Sequence, residues 1–185
     1  MRSTPDSLSI EVRPVAFQDR SAFVRFVTDL SAEGHRFLKE HLDPSDDTFE
    51  RMLQPPARRL VAIEPDGTII GLAGAFPGTG WSSHVAELRI VVASSWRGRG
   101  VGRALAKASL LEALHLGCTH SYVEVVAEQE ALVDMFQDMG FEPEALLVDF
   151  VRDEAAQFHD LLLLTQRVDG ARHVSSILQV EESLR

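Results

Sequence analysis

At 185 residues, with 45% hydrophobic residues and a formal net charge of −10, the chain is long enough for one soluble globular domain with a sizeable core. The acidic balance argues against partners that need a positive field, so neither nucleic acid nor a membrane is expected. The lone Cys118 excludes an intramolecular disulfide and a cysteine metal cluster; no run approaches a membrane span, and Arg2, Pro5, Asp6 and Glu11 break any signal-peptide core, so the cytoplasm is the expected location.

Residues 1–8 read as a disordered N-terminus, 9–168 as the domain, and 169–185 as a tail or final helix carrying Val174, Ile177, Leu178 and Leu184. Ile10 and Val12 alternate with Glu11 and Arg13 as a first strand ending at Pro14. Asp19 is expected to cap a helix whose apolar positions Ala22, Phe23, Phe26, Val27 and Leu30 follow helical spacing, with Gly34 as its stop. His35 to Leu42 is a short amphipathic segment. Asp43-Pro44 opens a second helix, with Phe49, Met52 and Leu53 inward, that Pro55-Pro56 ends. Its carboxylates Asp43, Asp46, Asp47 and Glu50 read as a charged helix start, or as a rim for a cationic substrate. Glu64-Pro65-Asp66-Gly67 is a hairpin turn between two apolar strands, and Pro77, Gly78 and Gly80 make a loop.

The stretch Ala86 to Gly102 organises the chain. Leu88, Ile90 and Val92 alternate with Glu87, Arg89 and Val91 as a strand. Gly98, Gly100 and Gly102 then lie among Arg97, Arg99 and Arg103, and an Ala- and Leu-rich helix follows to Gly117. Glycines at such a junction let the backbone approach a ligand, and the unpaired N–H groups of a first helical turn favour an anion, so a phosphate-bearing ligand is expected. A strand at Tyr122 to Val126, a helix with Ala131, Leu132, Met135, Phe136 and Met139 inward and closed by Gly140, and strands at Leu146 to Val151 and Leu161 to Thr165 complete the order β, α, α, β, β, β, α, β, α, β, β. A dinucleotide fingerprint from Gly98 would need its third glycine at Arg103, and no Lys-Ser or Lys-Thr pair follows to make a nucleotide-triphosphate loop.

Two motifs carry a resemblance. Arg97-Gly98-Arg99-Gly100-Val101-Gly102 is similar to the acetyl-coenzyme A signature of the GNAT superfamily of N-acetyltransferases, matching it at Arg97, Gly100 and Gly102; Gln129 to Phe141, ending Met139-Gly140-Phe141, resembles its second signature. The resemblance implies an α+β fold: one domain with a central mixed, mostly antiparallel, twisted sheet flanked by helices on both faces. It implies acetyl-CoA as cosubstrate, no metal, and an acetyl group passed directly, in a ternary complex, to a primary amine of a small molecule, protein lysine or N-terminus. It leaves room for a homodimer. By the same resemblance, the backbone near Ile90, Val91 and Val92 would hold the pantetheine. The amides of Gly98 through Val101 to Arg103 would wrap the pyrophosphate, with Arg97, Arg99 or Arg103 adding charge.

An amine near pKa 10.4 must shed its proton, which costs about 4.6 kcal/mol at neutral pH. The resemblance makes Glu87 the candidate base, directly or through water, since acidic residues on this strand serve that role in parts of the family; it could instead be salt-bridged to Arg89, and a bulge would change the face it presents. Many members protonate the leaving thiolate with a tyrosine where this chain has Phe136, which instead packs against pantetheine or core. That departure motivates the alternative of a catalytically weak acyl-CoA-binding or sensing module. Tyr122, the single tyrosine, reads as a core or edge residue, and by the resemblance Gln129, where the family often has Asn, could still bond the pantetheine. His84 could edge the acceptor pocket or be an exposed loop residue, and the other histidines suggest no metal site.

Overall fold

The computed structural model describes residues 10–30 and 38–167. The expectations for residues 1–9, for Gly34 and the start of the 35–42 segment, and for the C-terminal tail or helix lie outside the described residues. The strands are β1 (Glu11–Pro14), β2 (Arg58–Ile63), β3 (Ile69–Pro77), β4 (Val85–Val92), β5 (His120–Val126), β6 (Glu142–Arg152) and β7 (Phe158–Arg167). The helices are α1 (Arg20–Asp29), α2 (Asp46–Met52), α3 (Val101–His115) and α4 (Glu130–Asp138). The element order is the one expected over this span. The strands form one seven-stranded sheet in the order β1-β2-β3-β4-β5-β7-β6, antiparallel except between β4 and β5.

Alternation along β2 explains why the sheet is covered on both faces. Val61 and Ile63 pack with Phe23, Phe26 and Phe49 of α1 and α2, while Leu60 and Ala62 pack with Val101 and Leu105 of α3. A third apolar cluster joins α3, β5 and α4 through Leu110, Val123, Val125, Phe136 and Phe141. None of the helices among the described residues is long and apolar enough to cross a membrane.

The two N-terminal helix starts differ from expectation. Asp19 stands at the head of α1 without capping it: its carboxylate accepts the Ala16 N–H at 2.8 Å and both Arg13 nitrogens at 2.7 Å. The cap of α2 is Ser45, whose hydroxyl accepts the Thr48 N–H, and Asp43 supports it by accepting from the Ser45 amide and the Thr48 hydroxyl. Hydrogen bonds from Ser45 and Thr48 hold the Asp43 carboxyl at about 2. Asp46 and Asp47 sit in the first turn of α2, where the dipole favours them, and Asp46 is ion-paired to Arg20.

Both later helices end as their glycines predict. Gly117 and Gly140 are left-handed, with φ of 81° and 90°. At the end of α3 the Cys118 N–H reaches the Ala113 carbonyl and the Gly117 N–H reaches Leu114; at the end of α4 Phe141 reaches Phe136 and Gly140 reaches Gln137. This is the Schellman pattern twice over, and in α4 its usual apolar contact is present, with the Phe136 and Phe141 rings edge to face at 5.1 Å. The Met139-Gly140-Phe141 motif is therefore, physically, a helix stop that locks Phe136 into the core.

Candidate active site

Strand β4 runs beside β3 without a break in register from Ala86 to Val92, so no bulge redirects Glu87. On its other edge β4 pairs with β5 only at Val85–Glu87 against His120–Tyr122. Beyond that rung the two strands are hydrogen-bonded outward, β4 to β3 and β5 to β7, and their facing edges have no ladder between them. The backbone groups exposed there need a partner, and an extended ligand can supply one. A cleft of about 360 Å³ opens at this parting, walled by Leu88 to Val91 on one side and Val123 to Val126 on the other. Glu87, Gln129 and Phe136 line it, as do Ile90 and Val91.

Glu87 stands on the last shared rung and is only 6% exposed. Arg89, two residues on and therefore on the same face, donates to it twice, from Nε at 3.0 Å and Nη2 at 2.8 Å. Lys39 Nζ lies 2.9 Å from Glu87 Oε1 and 2.9 Å from Glu124 Oε2. The Tyr122 hydroxyl donates to Glu87 Oε2 at 3.3 Å. Burial pushes the Glu87 carboxyl up, but the bonds and charges of Arg89 and Lys39 outweigh it, so the group lies below its ordinary value. Burial and the neighbouring Glu87 charge push the Tyr122 phenol up, and it keeps its proton. The network continues to Glu40, which accepts from Arg59 Nη2 at 2.8 Å and lies 3.7 Å from Arg89 Nη1. Arg59 and Arg89 both stack on the Phe76 ring, at 4.2 and 4.3 Å.

From the sequence Tyr122 reads as a core or edge residue, and Lys39, Glu40, Arg59 and Glu124 carry no motif. A signal existed for two of them: Tyr122 and Glu124 alternate with Val123 and Val125, so their polar atoms share one face of β5. Lys39 and Glu40 belong to the segment read as short and amphipathic, whose described residues 38–42 are irregular, and nothing local directs their side chains to the cleft. His84 is exposed, outside the cleft lining, with its ring edge-on to His120.

The glycine-rich turn leads from the far end of β4 into α3. Gly98 and Gly100 are left-handed, with φ of 71° and 86°, and Gly100 is the residue from which α3 starts. No side chain caps this helix, and its first intrahelical bond is from the Ala104 N–H to the Gly100 carbonyl, so the preceding amides are available to an anion. Gly102 is already helical; a Cβ there would make ordinary contacts with Met135 Sδ at 3.6 Å and Val92 Cγ2 at 3.8 Å. Arg103 is ion-paired to Asp138 at 2.9 Å, Arg99 lies over the Trp96 ring at 5.0 Å, and Arg97 Nε approaches the Val92 carbonyl at 3.4 Å.

An uncapped, glycine-rich helix start thus stands at the open end of the parted parallel strands. Residues 24–141 match the family model described as Acetyltransferase (GNAT) family, a span that holds β4, the glycine turn and α4 and ends at Phe141. The chain belongs to this family. An uncharacterized N-acetyltransferase of Escherichia coli K12, YjgM, is 27% identical over 135 residues, covering 71% of this chain and 81% of that protein. A GCN5-related N-acetyltransferase from Kribbella flavida is 27% identical with a TM-score of 0.68 over 86% of this chain and 98% of its own. The structure of yncA from Salmonella typhimurium with its cofactor acetyl-CoA shares the fold at a TM-score of 0.70 and 17% identity, over 89% and 96% of the two chains. As a GNAT N-acetyltransferase the chain is an acyltransferase, and its mixed, mostly antiparallel sheet with helices on both faces is the fold those structures share.

Proposed function

We propose that this GNAT enzyme passes the acetyl group of acetyl-CoA directly to a primary amine in a ternary complex. The observation that carries the reading is the parting of β4 and β5 immediately past Glu87, which puts a buried carboxylate at the closed end of a cleft whose open end leads to the glycine turn. Bound coenzyme supplies the thioester, and the chain's own residues do the rest. The amides from Gly98 to Arg103 take the pyrophosphate, with Arg97, Arg99 and Arg103 around them, because orphan N–H groups and the helix dipole favour negative charge. The free edge of β4 at Ile90, Val91 and Val92 pairs with the amides of the pantetheine arm, as an added strand would. Gln129 and Phe136 close the wall opposite. Glu87 accepts the proton of the incoming ammonium, directly or through a water, so that the amine nitrogen can bond to the carbonyl carbon as the C–S bond breaks. Tyr122, protonated and adjacent, is placed to return a proton to the departing thiolate in place of the family tyrosine that Phe136 replaces.

A screen of polyamine, amino-acid, aminoglycoside and lysine-peptide acceptors for coenzyme A release, run beside calorimetry with acetyl-CoA, tests this. Amine-dependent release with coenzyme bound in the micromolar range is expected; absence of binding near millimolar coenzyme ends the reading.

The glycines separate a ligand cradle from a mere turn. Gly100→Ala forces a side chain into the left-handed region and should lower stability by about 1–2 kcal/mol, whereas Gly102→Ala occupies helical backbone with room for its methyl and should not lower the melting temperature. Gly102→Ala should nonetheless weaken acetyl-CoA binding, since a methyl at this second helical residue crowds the approach to the amides. Unchanged coenzyme affinity in a fully folded Gly102→Ala protein would show that this glycine serves only the turn.

A further inference from the structure

The ion network at the parting of β4 and β5 contains three carboxylates, Glu40, Glu87 and Glu124, and three cations, Lys39, Arg59 and Arg89. Five of the six are carried by strands or tied to two arginines. Lys39 differs: it comes from an irregular segment, its side chain is 44% exposed, and a single ammonium bridges two carboxylates from strands that no longer pair. The strand positions explain the geometry. Glu87 is the last residue of β4 paired with β5, and Glu124 lies two residues beyond Tyr122, the last residue of β5 paired with β4, so both project on one face at the closed end of the gap.

Withdrawing Lys39 leaves this half-buried set one negative charge in excess, which any single cation of the right shape would restore. A tetrahedral ammonium offers three N–H donors, and at the Lys39 Nζ position it meets one oxygen each of Glu87 and Glu124. An anionic acceptor would instead add a fourth negative group to a balanced set. We infer that Lys39 Nζ occupies the subsite of the acceptor's ammonium: the acceptor is a primary alkylammonium that displaces Lys39 to bind between Glu87 and Glu124, and Lys39 is a tethered competitor that sets the apparent affinity for it. The inference rests on the acetyltransferase reading for the word acceptor, while the binding site itself is testable without any chemistry. Displacement has a chemical benefit as well. Lys39 is one of the cations that hold the Glu87 carboxyl low, so once it has left, a proton passed from the bound ammonium to Glu87 leaves two neutral groups with no lysine charge beside them.

The test is calorimetric titration of the full chain, without coenzyme at neutral pH, with n-butylammonium and with butyltrimethylammonium, which has the same charge and no N–H. Lys39→Met removes the competitor and should bind butylammonium about tenfold more tightly than wild type, as expected when a blocked site becomes fully competent. The quaternary ion should gain nothing, and Lys39→Met combined with Glu124→Gln should lose the gain. Lys39→Arg, which keeps a cation on the same stem, should bind no better than wild type and guards against misfolding of the methionine variant. Equal or weaker butylammonium binding by folded Lys39→Met, or an equal gain for the quaternary ion, overturns the inference. Coenzyme A release with supplied amines is read separately: its absence would refute the acetyltransferase reading and leave the ammonium subsite standing or falling on the titration.

Discussion

Glu87→Gln is expected to lower turnover with a primary amine by about 10²- to 10⁴-fold while leaving acetyl-CoA affinity nearly unchanged. The amide keeps the size of the side chain, and the cations it abandons are not stranded, since Lys39 retains Glu124 and Arg89 retains Glu40. The lost step is the removal of a proton from an amine near pKa 10.4, so the variant's rate should climb steeply with pH as free amine accumulates. Stability should respond in the opposite range. The folded Glu87 carboxyl lies below its ordinary 4.5, so its ion pairs contribute fully above that value and are lost as the pH falls through the folded one. The stability difference between wild type and Glu87→Gln should therefore shrink on acidification below pH 4.5, measured by urea unfolding at a series of pH values. Near-normal turnover of the glutamine variant at neutral pH would assign the proton to another group, with Glu124 the nearest carboxylate across the gap.

Phe141→Ala should cost about 3–5 kcal/mol, a large share of the 5–15 kcal/mol typical of a domain. Phe141 is 2% exposed and packs edge to face on Phe136, which is also 2% exposed, and it forms the apolar clasp of the Schellman stop that ends α4. Because Phe136 lines the cleft on one side and the core on the other, the cavity left by the missing ring should also loosen that wall and weaken acetyl-CoA binding. Phe141→Leu, which keeps most of the volume, should cost less than half as much. Urea denaturation of the three proteins decides it; a loss of under about 1 kcal/mol for the alanine variant would mean that the clasp is not part of the cooperative core.

How much of this was legible varies with the reach of the interaction involved. Gly117 and Gly140 end their helices because a left-handed residue and two local hydrogen bonds are properties of a few consecutive residues. The Glu64 to Gly67 turn is readable for the same reason: the Gly67 N–H reaches the Glu64 carbonyl and Asp66 accepts from Thr68, all within the turn itself. Asp19 and Asp43 show where local reading fails. Each sits beside a helix start as the composition suggests, but one carboxylate is claimed by Arg13 on β1, and the other accepts from the Ser45 amide and the Thr48 hydroxyl rather than from a helix N–H.

By itself the sequence determined the element order, the glycine turn ahead of α3 and the location of Glu87 on the central strand, because alternation, helical spacing and turn chemistry are written in neighbouring residues; the α+β class came with the family resemblance that two of its motifs carry. The pairing of Glu87 with Arg89 was also within its reach, being an i, i+2 contact on one strand. Only the tertiary structure decided that β4 and β5 part after a single three-residue ladder, and that Lys39, Glu40, Arg59, Tyr122 and Glu124 gather around the rung where they part. Partners in this network lie far apart along the chain, Arg59 and Glu40 by 19 positions and Tyr122 and Glu87 by 35. Charges so far apart along the chain meet because the sheet sets β4 beside β5 and β2 one strand away, and no pattern in any one segment records the partner another segment will bring.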